Sequence, residues 1–253
     1  GWYNLNIKRK SFSLLQFFRE VISYIKVSKK IKPDFIHFIS MRPIITGLLA
    51  SFMIKSKFIA TFTGMGFLFI KGGFIGCFYR FIIISFMKTC FFFKKVKVIV
   101  QNKDDEHFFL KKLKHSIENI NVIRGSGINL KFYKQLNEPE NKIVKILYVG
   151  RMLEDKGVIW LIESFKQAKN IYKNINLYLA GPIDEKNPTG ISRKKLDTFL
   201  KIKGIHYLGN VEDVRELWRN SNIAILLSKR EGLPLSLMAV SYTHLRAHET
   251  RIH

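Results

Sequence analysis

Residues 145–170 read KILYVGRMLEDKGVIWLIESFKQAKN, and this stretch decides the fold. An apolar run, Lys145 to Val149, ends on Gly150-Arg151. A short polar loop follows, and then Gly157 opens a segment with Val158, Leu161, Ile162, Phe165 and Ala168 on one helical face. That is a buried strand feeding an amphipathic helix. Further strand-like runs follow at 176–180, 205–208 and 222–228, with helix candidates at 192–203 and 211–220 between them. Upstream, apolar runs rich in β-branched and aromatic residues occupy 35–40, 57–63, 96–101 and 120–124, mostly with helix-length spacers. A helix at 11–32 precedes them, with Leu14, Phe18, Val21 and Ile25 in phase and Pro33 after it. Alternating strands and helices with near-continuous apolar strands imply an α/β chain with two parallel sheets, each covered on both faces. The polar stretch 137–141 (NEPEN) reads as a linker, giving units of 1–136 and 142–239.

The chain has 253 residues, of which 47% are hydrophobic. That excludes a wholly disordered chain and leaves material for a core. Two cysteines, Cys77 and Cys90, cannot build a disulfide framework or a four-ligand zinc site, so an intracellular setting is expected. The formal net charge is +24, unevenly placed. Residues 1–100 hold 17 Lys/Arg against 2 Asp/Glu, whereas residues 141–239 hold 17 against 10. The first half therefore calls for an anionic partner: nucleic acid, anionic lipid or a phosphorylated substrate. An AT-rich genome accounts for part of the lysine excess but not for its asymmetry.

Residues 74–93 approach the length of a bilayer-spanning helix, about 20 residues. Arg80 and Lys88 lie inside it, and a charge at a helix centre costs about 2.5–3.5 kcal/mol on insertion scales. Three placements compete: buried in the domain, lying in the plane of a membrane surface, or spanning.

Two segments carry chemistry. In the first, Gly150 permits a tight turn, and Arg151 and Lys156 bracket a loop that opens a helix. Two cations and a helix N-terminus can clasp a diphosphate; the alternative is a solvated loop with a surface Arg–Asp pair. In the second, residues 230–238 (REGLPLSLM) follow the apolar run 223–227. Glu231 then sits at the carboxyl edge of a parallel strand, where open α/β sheets bind ligands, or else serves as a helix cap.

The ordered set Gly150-Arg151, Lys156-Gly157, Ala180-Gly181-Pro182, Leu208-Gly209 and Glu231-Gly232-Leu233-Pro234 resembles glycosyltransferase family 4, retaining enzymes of the GT-B architecture. Upstream, Lys32-Pro33-Asp34-Phe35-Ile36-His37, Met41-Arg42-Pro43, residues 61–67 (TFTGMGF), Gln101-Asn102 and residues 125–128 (GSGI) fall in family order. The resemblance covers about residues 8–238 and is strongest to bacterial enzymes that build lipid-linked cell-surface oligosaccharides. It implies two Rossmann-like domains, the first facing acceptor and membrane and the second binding a UDP-sugar. In the same reading Arg151 and Lys156 hold the donor diphosphate, and Glu231, first of an E-x7-E motif, binds donor-sugar hydroxyls. Gly150, Val211, Gly232, Leu233, Pro234 and Leu235 contact the donor, while His37, Arg42, Gly64 and Gly66 lie on the acceptor side. It further implies no metal and no cofactor beyond the nucleotide sugar, an undecaprenyl-diphosphate-linked glycan as acceptor, and a peripheral place on the cytoplasmic face of the inner membrane.

Three departures qualify the resemblance. The second glutamate of E-x7-E falls at Ala239. A second histidine common two positions after the first is Ile39, which leaves His37 open to being a buried strand histidine. The opening strand and glycine-rich loop are absent, so the chain reads as a fragment, inactive as it stands. Residues 240–250 (VSYTHLRAHET) match one translated frame of a transposase-type sequencing adapter. Residues 240–253, with His244, His248 and His253, are therefore set aside as a non-native tail carrying no metal site. The rival classes are a basic nucleic-acid-binding protein, for which no motif is visible, and a non-catalytic glycosyltransferase-like scaffold.

Overall fold

A computed structural model describes residues 13–65, 73–125, 127–129, 131, 139–140, 142–228, 236, 238 and 246–249. The chain divides into two compact units, Gly1–Gly125 and Ser126–His253. The division falls ahead of the linker expected at 137–141. Of that stretch only Pro139 and Glu140 are described, and the Pro139 carbonyl accepts a hydrogen bond from Asn222 Nδ2 at 3.1 Å, which ties it to the second unit.

Unit 1 runs α1 (Leu14–Ile31), β1 (Phe35–Ile39), α2 (Met41–Ser51), β2 (Lys57–Phe62), α3 (Gly73–Phe93), β3 (Val96–Val100), α4 (Lys103–Lys111) and β4 (Ile120–Val122). The sheet is parallel, in the order β1-β2-β3-β4, with Phe38 beside Ala60 and Ala60 beside Val98. Asn102 caps α4, its Oδ1 accepting from the Asp105 N–H at 2.8 Å. The described helices place their buried residues in one cluster with Phe38, Phe58, Phe62, Val98 and Val100. Tyr24 of α1 packs on Phe38, and Phe109 of α4 packs between Phe62 and Phe91.

The other face corrects the expectation of a sheet covered on both sides. Among the described residues Phe35, His37 and Ile39 of β1 are exposed, and Ile59, Thr61 and Ile99 are only half-buried. Successive strand residues point to opposite faces, so among the described residues the helices bury every second one.

The segment expected at 74–93 is one helix, α3, docked along one side. Met87, Cys90 and Phe91 are buried, while Phe78, Phe81, Ile82 and Phe92 are exposed. Gly76–Phe93 is long and apolar enough to cross a bilayer, yet only 22% of it is buried in the fold. Its exposed side is therefore unusually apolar for a helix of an α/β layer.

Unit 2 contains β5 (Val144–Val149), α5 (Val158–Ile171), β6 (Ile175–Ala180), α6 (Arg193–Phe199), β7 (Ile205–Gly209), α7 (Arg215–Arg219), β8 (Ile223–Leu226) and β9 (Arg246–Glu249). The strand order is β7-β6-β5-β8-β9, all parallel. Val158, Leu161, Ile162 and Phe165, the apolar face read from sequence, are the buried residues of α5. Strand β9 lies within residues 240–253, the stretch set aside above as a non-native tail. Residues 246–249 pair with all of β8, whose outer edge otherwise presents unpaired ladder groups.

The two cysteines differ sharply. Cys77 is exposed on α3 and Cys90 is buried, and burial pushes its thiol pKa up to about 11. An unfolded thiol titrates near 8.5, so this preference for the protonated form is fully present below about pH 8.5 and is lost as pH rises towards 11. A thiol reagent at pH 8 is expected to label one equivalent, Cys77, in the native chain and two after unfolding. Two fast equivalents would contradict the docking of α3.

Candidate functional site

The second sheet changes direction at β5. The chain moves outward from β5 through β6 to β7, then returns to place β8 on the other side of β5. Loops leaving the carboxyl ends of β5 and β8 therefore part in opposite directions and open a crevice, the position where parallel α/β sheets bind ligands. The loop after β5 carries Gly150, Arg151 and Lys156; the one after β8 leads through Leu227 and Ser228 to Glu231.

Backbone packing draws this edge tight. Gly157 has φ +74°, and a Cβ there would lie 1.9 Å from the Leu227 carbonyl oxygen. Gly181, φ +140°, similarly meets the Gly150 carbonyl oxygen at 1.9 Å. Only glycine combines that conformation with that approach. The Gly150 N–H donates to the Ala180 carbonyl at 2.9 Å, and the Gly181 N–H donates to the Gly209 carbonyl at 2.7 Å. The ends of β5, β6 and β7 are thus stitched together, with β8 pressed onto the start of α5.

The loop 150–157 is held from within. Tyr148 is fully buried, and its hydroxyl donates to the Arg151 carbonyl at 2.8 Å. The Met152 N–H donates to Pro182, the Ile191 N–H to Met152, and the Glu154 N–H to Thr189. Thr189 Oγ1 reaches Asp155 Oδ1 at 3.1 Å, and Lys195 Nζ pairs with Glu154 at 2.9 Å. Tyr207 donates to the Gly181 carbonyl at 2.9 Å; burial raises its pKa, partly offset by the Arg193 guanidinium. The loop ends in a 3-10 turn, Glu154–Lys156, and α5 begins with no acidic residue in its first turn and no side-chain cap. The N–H groups of its first turn carry the partial positive charge of a helix start.

The predicted residues fare as follows. Arg151 is half-exposed and pairs with Asp184 at 3.4 Å, the surface Arg–Asp pair that was the alternative reading. Exposed pairs of this kind contribute about 0–1 kcal/mol, so the pair yields easily to a stronger anion. Lys156 is half-buried in the 3-10 turn. Val211 follows β7, packs half-buried against the unit 2 core and precedes the Asp213–Arg215 ion pair. Glu231, Gly232, Leu233, Pro234, Leu235, Ala239 and Gly66 lie outside the described residues.

In unit 1, His37 is exposed rather than buried, because β1 turns it to the uncovered face. Its Nε2 and Thr61 Oγ1 are hydrogen-bonded at 2.6 Å. The Ser40 N–H donates to the Thr61 carbonyl, and Gly64, φ +130°, follows at the same carboxyl edge. Arg42 is differently occupied: its guanidinium pairs with Glu20, a carboxylate only 3% exposed that needs a counter-ion. Sequence reading missed Tyr148, Asp184, Thr61 and Thr189. Only Tyr148 carried a signal, as the one polar tip within the apolar run 146–149.

Replacing Gly157 or Gly181 by alanine is expected to cost about 2–4 kcal/mol in urea unfolding, from the clash added to left-handed strain. Gly209, φ +73°, has nothing within 4 Å of a built Cβ, so alanine there should cost only about 1–2 kcal/mol. Equal losses at all three positions would contradict the close packing.

Residues 2–102 match the family profile described as glycosyl transferase 4-like, and residues 143–242 match glycosyl transferases group 1. The N,N'-diacetylbacillosaminyl-diphospho-undecaprenol alpha-1,3-N-acetylgalactosaminyltransferase of Campylobacter jejuni is 33% identical over 228 residues, 84% of this chain and 57% of the relative. The capsular polysaccharide biosynthesis glycosyltransferase CapM of Staphylococcus aureus is 23% identical over 236 residues, 88% of this chain and 60% of the relative. The chain thus spans 57% and 60% of the length of these two. Among solved structures, a glycosyltransferase from Rickettsia africae superimposes with TM-score 0.67 at 20% identity, covering 97% of this chain and 65% of that one. Anabaena HepE in complex with UDP and glucose gives TM-score 0.70 at 13% identity, covering 94% and 64%. These likenesses show the GT-B fold. With the two profiles falling in order along most of its length, this chain belongs to the family-4 group of GT-B glycosyltransferases.

Proposed function

We propose that the protein to which this chain belongs transfers a sugar, an N-acetylhexosamine or hexose, from UDP-sugar to a lipid-diphosphate-linked glycan, with retention at the anomeric carbon and without a metal. The observation that carries the reading is the crevice between β5 and β8, with Arg151, Lys156 and the uncapped start of α5 at its mouth. A nucleoside diphosphate leaving group gains negative charge as its bond to the sugar breaks. Fixed cations and backbone N–H groups stabilise that charge without reorganising, often the largest part of catalysis. The same loop supplies the positive charge that a divalent ion contributes elsewhere.

In this reading Arg151 exchanges its weak partner Asp184 for a donor phosphate oxygen, and Lys156 takes a second. Gly150 and Gly181 hold the backbone where no Cβ intrudes. Glu231, emerging after β8, accepts hydrogen bonds from donor-sugar hydroxyls. The bond from the anomeric carbon to the phosphate oxygen breaks, and the acceptor oxygen bonds to the same face. The acceptor hydroxyl proton passes to the departing phosphate, so no enzymic base is consumed. In the same reading the protein works peripherally on the cytoplasmic face of the inner membrane, a position that the basic first unit supports. The names of the relatives favour this acceptor class, since the Campylobacter jejuni proteins are described as acting on undecaprenol-linked sugars.

In the complete protein Arg151→Ala is expected to lower kcat/KM for a UDP-sugar by about 100- to 1,000-fold, the range for losing a preorganised charge-stabilising donor. The product anomer followed by NMR should match the donor, and EDTA should leave the rate unchanged. With this chain alone, UDP should raise the unfolding midpoint, and Arg151→Ala should abolish the shift. An inverted product, or a UDP shift indifferent to Arg151, would sink the proposal.

A further inference from the structure

Unit 1 carries a second cationic feature at the amino-terminal edge of its sheet, the end of the strands opposite His37, Thr61 and Gly64. There the loops entering β2 and β3 enclose a cavity of about 440 Å³. Its walls include Phe52, Met53, Lys55, Lys57, Lys94 and Lys95, and no carboxylate lines it. Among the described residues none of these four lysines forms an ion pair. Two lean on aromatic rings instead, Lys94 Nζ 5.6 Å from the Phe52 centroid and Lys57 Nζ 5.4 Å from Phe35. Four lysines on the walls of one concave space, with no carboxylate among them, make a local field that favours an anion.

The rim of the cavity is oily. Phe92 and Phe93, the last residues of α3 before Lys94, are 83% and 65% exposed, and Met53 is 62% exposed. They continue the exposed apolar side of α3 formed by Phe78, Phe81 and Ile82. A soluble anion matches the lysines but leaves this rim in water. A phospholipid surface matches both, because its phosphates lie just above its acyl chains, and aromatic and lysine side chains collect at that depth.

We infer that this amino-edge pocket is a docking site for the phosphate of an anionic phospholipid headgroup, with Phe92, Phe93 and Met53 entering the interfacial layer of the bilayer. The inference rests on the membrane-surface reading of the proposed function and gives that surface a specific place. The site is distinct from any acceptor site at the carboxyl edge of the same strands. Helix α3 connects the two edges along the sheet, so its exposed apolar side lies flat on the membrane while both edges stay at its surface.

Co-sedimentation of the chain with phosphatidylcholine vesicles, with and without phosphatidylglycerol, tests this at low salt. The chain should bind the anionic vesicles and be released by added salt. Lys94→Gln with Lys95→Gln should weaken partitioning by about 30-fold, from about 1 kcal/mol per lysine near such a surface. Lys111→Gln with Lys112→Gln, an exposed pair elsewhere on unit 1, should change it only two- to threefold. Phe92→Ser with Phe93→Ser should weaken binding while leaving its salt dependence intact, and circular dichroism should show all variants folded. Equal effects of the two lysine pairs would overturn the pocket while leaving membrane association standing. No binding to either vesicle would overturn both that association and the pocket, whereas UDP binding by the chain reads out the donor site separately. Release by millimolar inorganic phosphate, or equal competition by single-stranded RNA, would also overturn the assignment.

Discussion

The close approach of Gly157 to the Leu227 carbonyl is the constraint on which the carboxyl edge of the unit 2 sheet depends. It joins the end of β8 to the start of α5 across the point where the strand order reverses. Any side chain at Gly157 separates the loop that carries Arg151 and Lys156 from Leu227 at the end of β8. Gly181 against the Gly150 carbonyl does the same for β5 and β6. These contacts are backbone on backbone, so they do not depend on rotamers and hold the crevice in one shape before any ligand arrives. Preorganisation of that kind is what a site needs if its charges are to act on a leaving group without first rearranging.

Electrostatics divides the molecule by unit. In unit 2 several cations near the candidate site have carboxylate partners: Arg151 with Asp184, Lys195 with Glu154, and Arg215 with Asp213. These exposed pairs hold loops in place yet are weak enough to exchange. In unit 1 Arg42 pairs with the buried Glu20, Lys97 donates to the Glu118 carbonyl, and Lys57 and Lys94 lean on aromatic rings. The uneven charge of the sequence therefore becomes a field on one unit rather than a uniform halo. That field coincides with the larger share of exposed apolar side chains, Phe78, Phe81, Phe92 and Phe93 among them.

Much of the architecture was legible because each strand carries its own signal. The apolar runs at 35–40, 57–63, 96–101 and 145–150 became β1, β2, β3 and β5 with ends shifted by a residue or two. Of the face read for α5, Val158, Leu161, Ile162 and Phe165 are buried and Ala168 is half-buried. Shorter elements were overrun: the helix expected at 211–220 is only Arg215–Arg219, since Asp213 and its pairing with Arg215 end the preceding turn. The covering of the unit 1 sheet was misjudged, because an apolar residue such as Ile39 or Phe35 looks the same in sequence whether or not a second layer lies over it. The fate of Arg42 was equally hidden. Its partner Glu20 is 22 positions away, on another helix.

By itself, the sequence determined the alternation of strands and helices, the glycines at the strand ends and the cations of the loop after β5. Hydrophobic period and residue chemistry are local properties, and they survive without a fold. Tertiary structure alone decided that β8 returns to the far side of β5, which reverses the strand order there and brings Leu227 against Gly157. It alone turned His37 outward onto Thr61, gave Arg42 to Glu20, and gathered Lys55, Lys57, Lys94 and Lys95 around one cavity. Each of these joins residues distant in the chain, and only packing, with the burial and desolvation it brings, chooses among the partners that the sequence makes available.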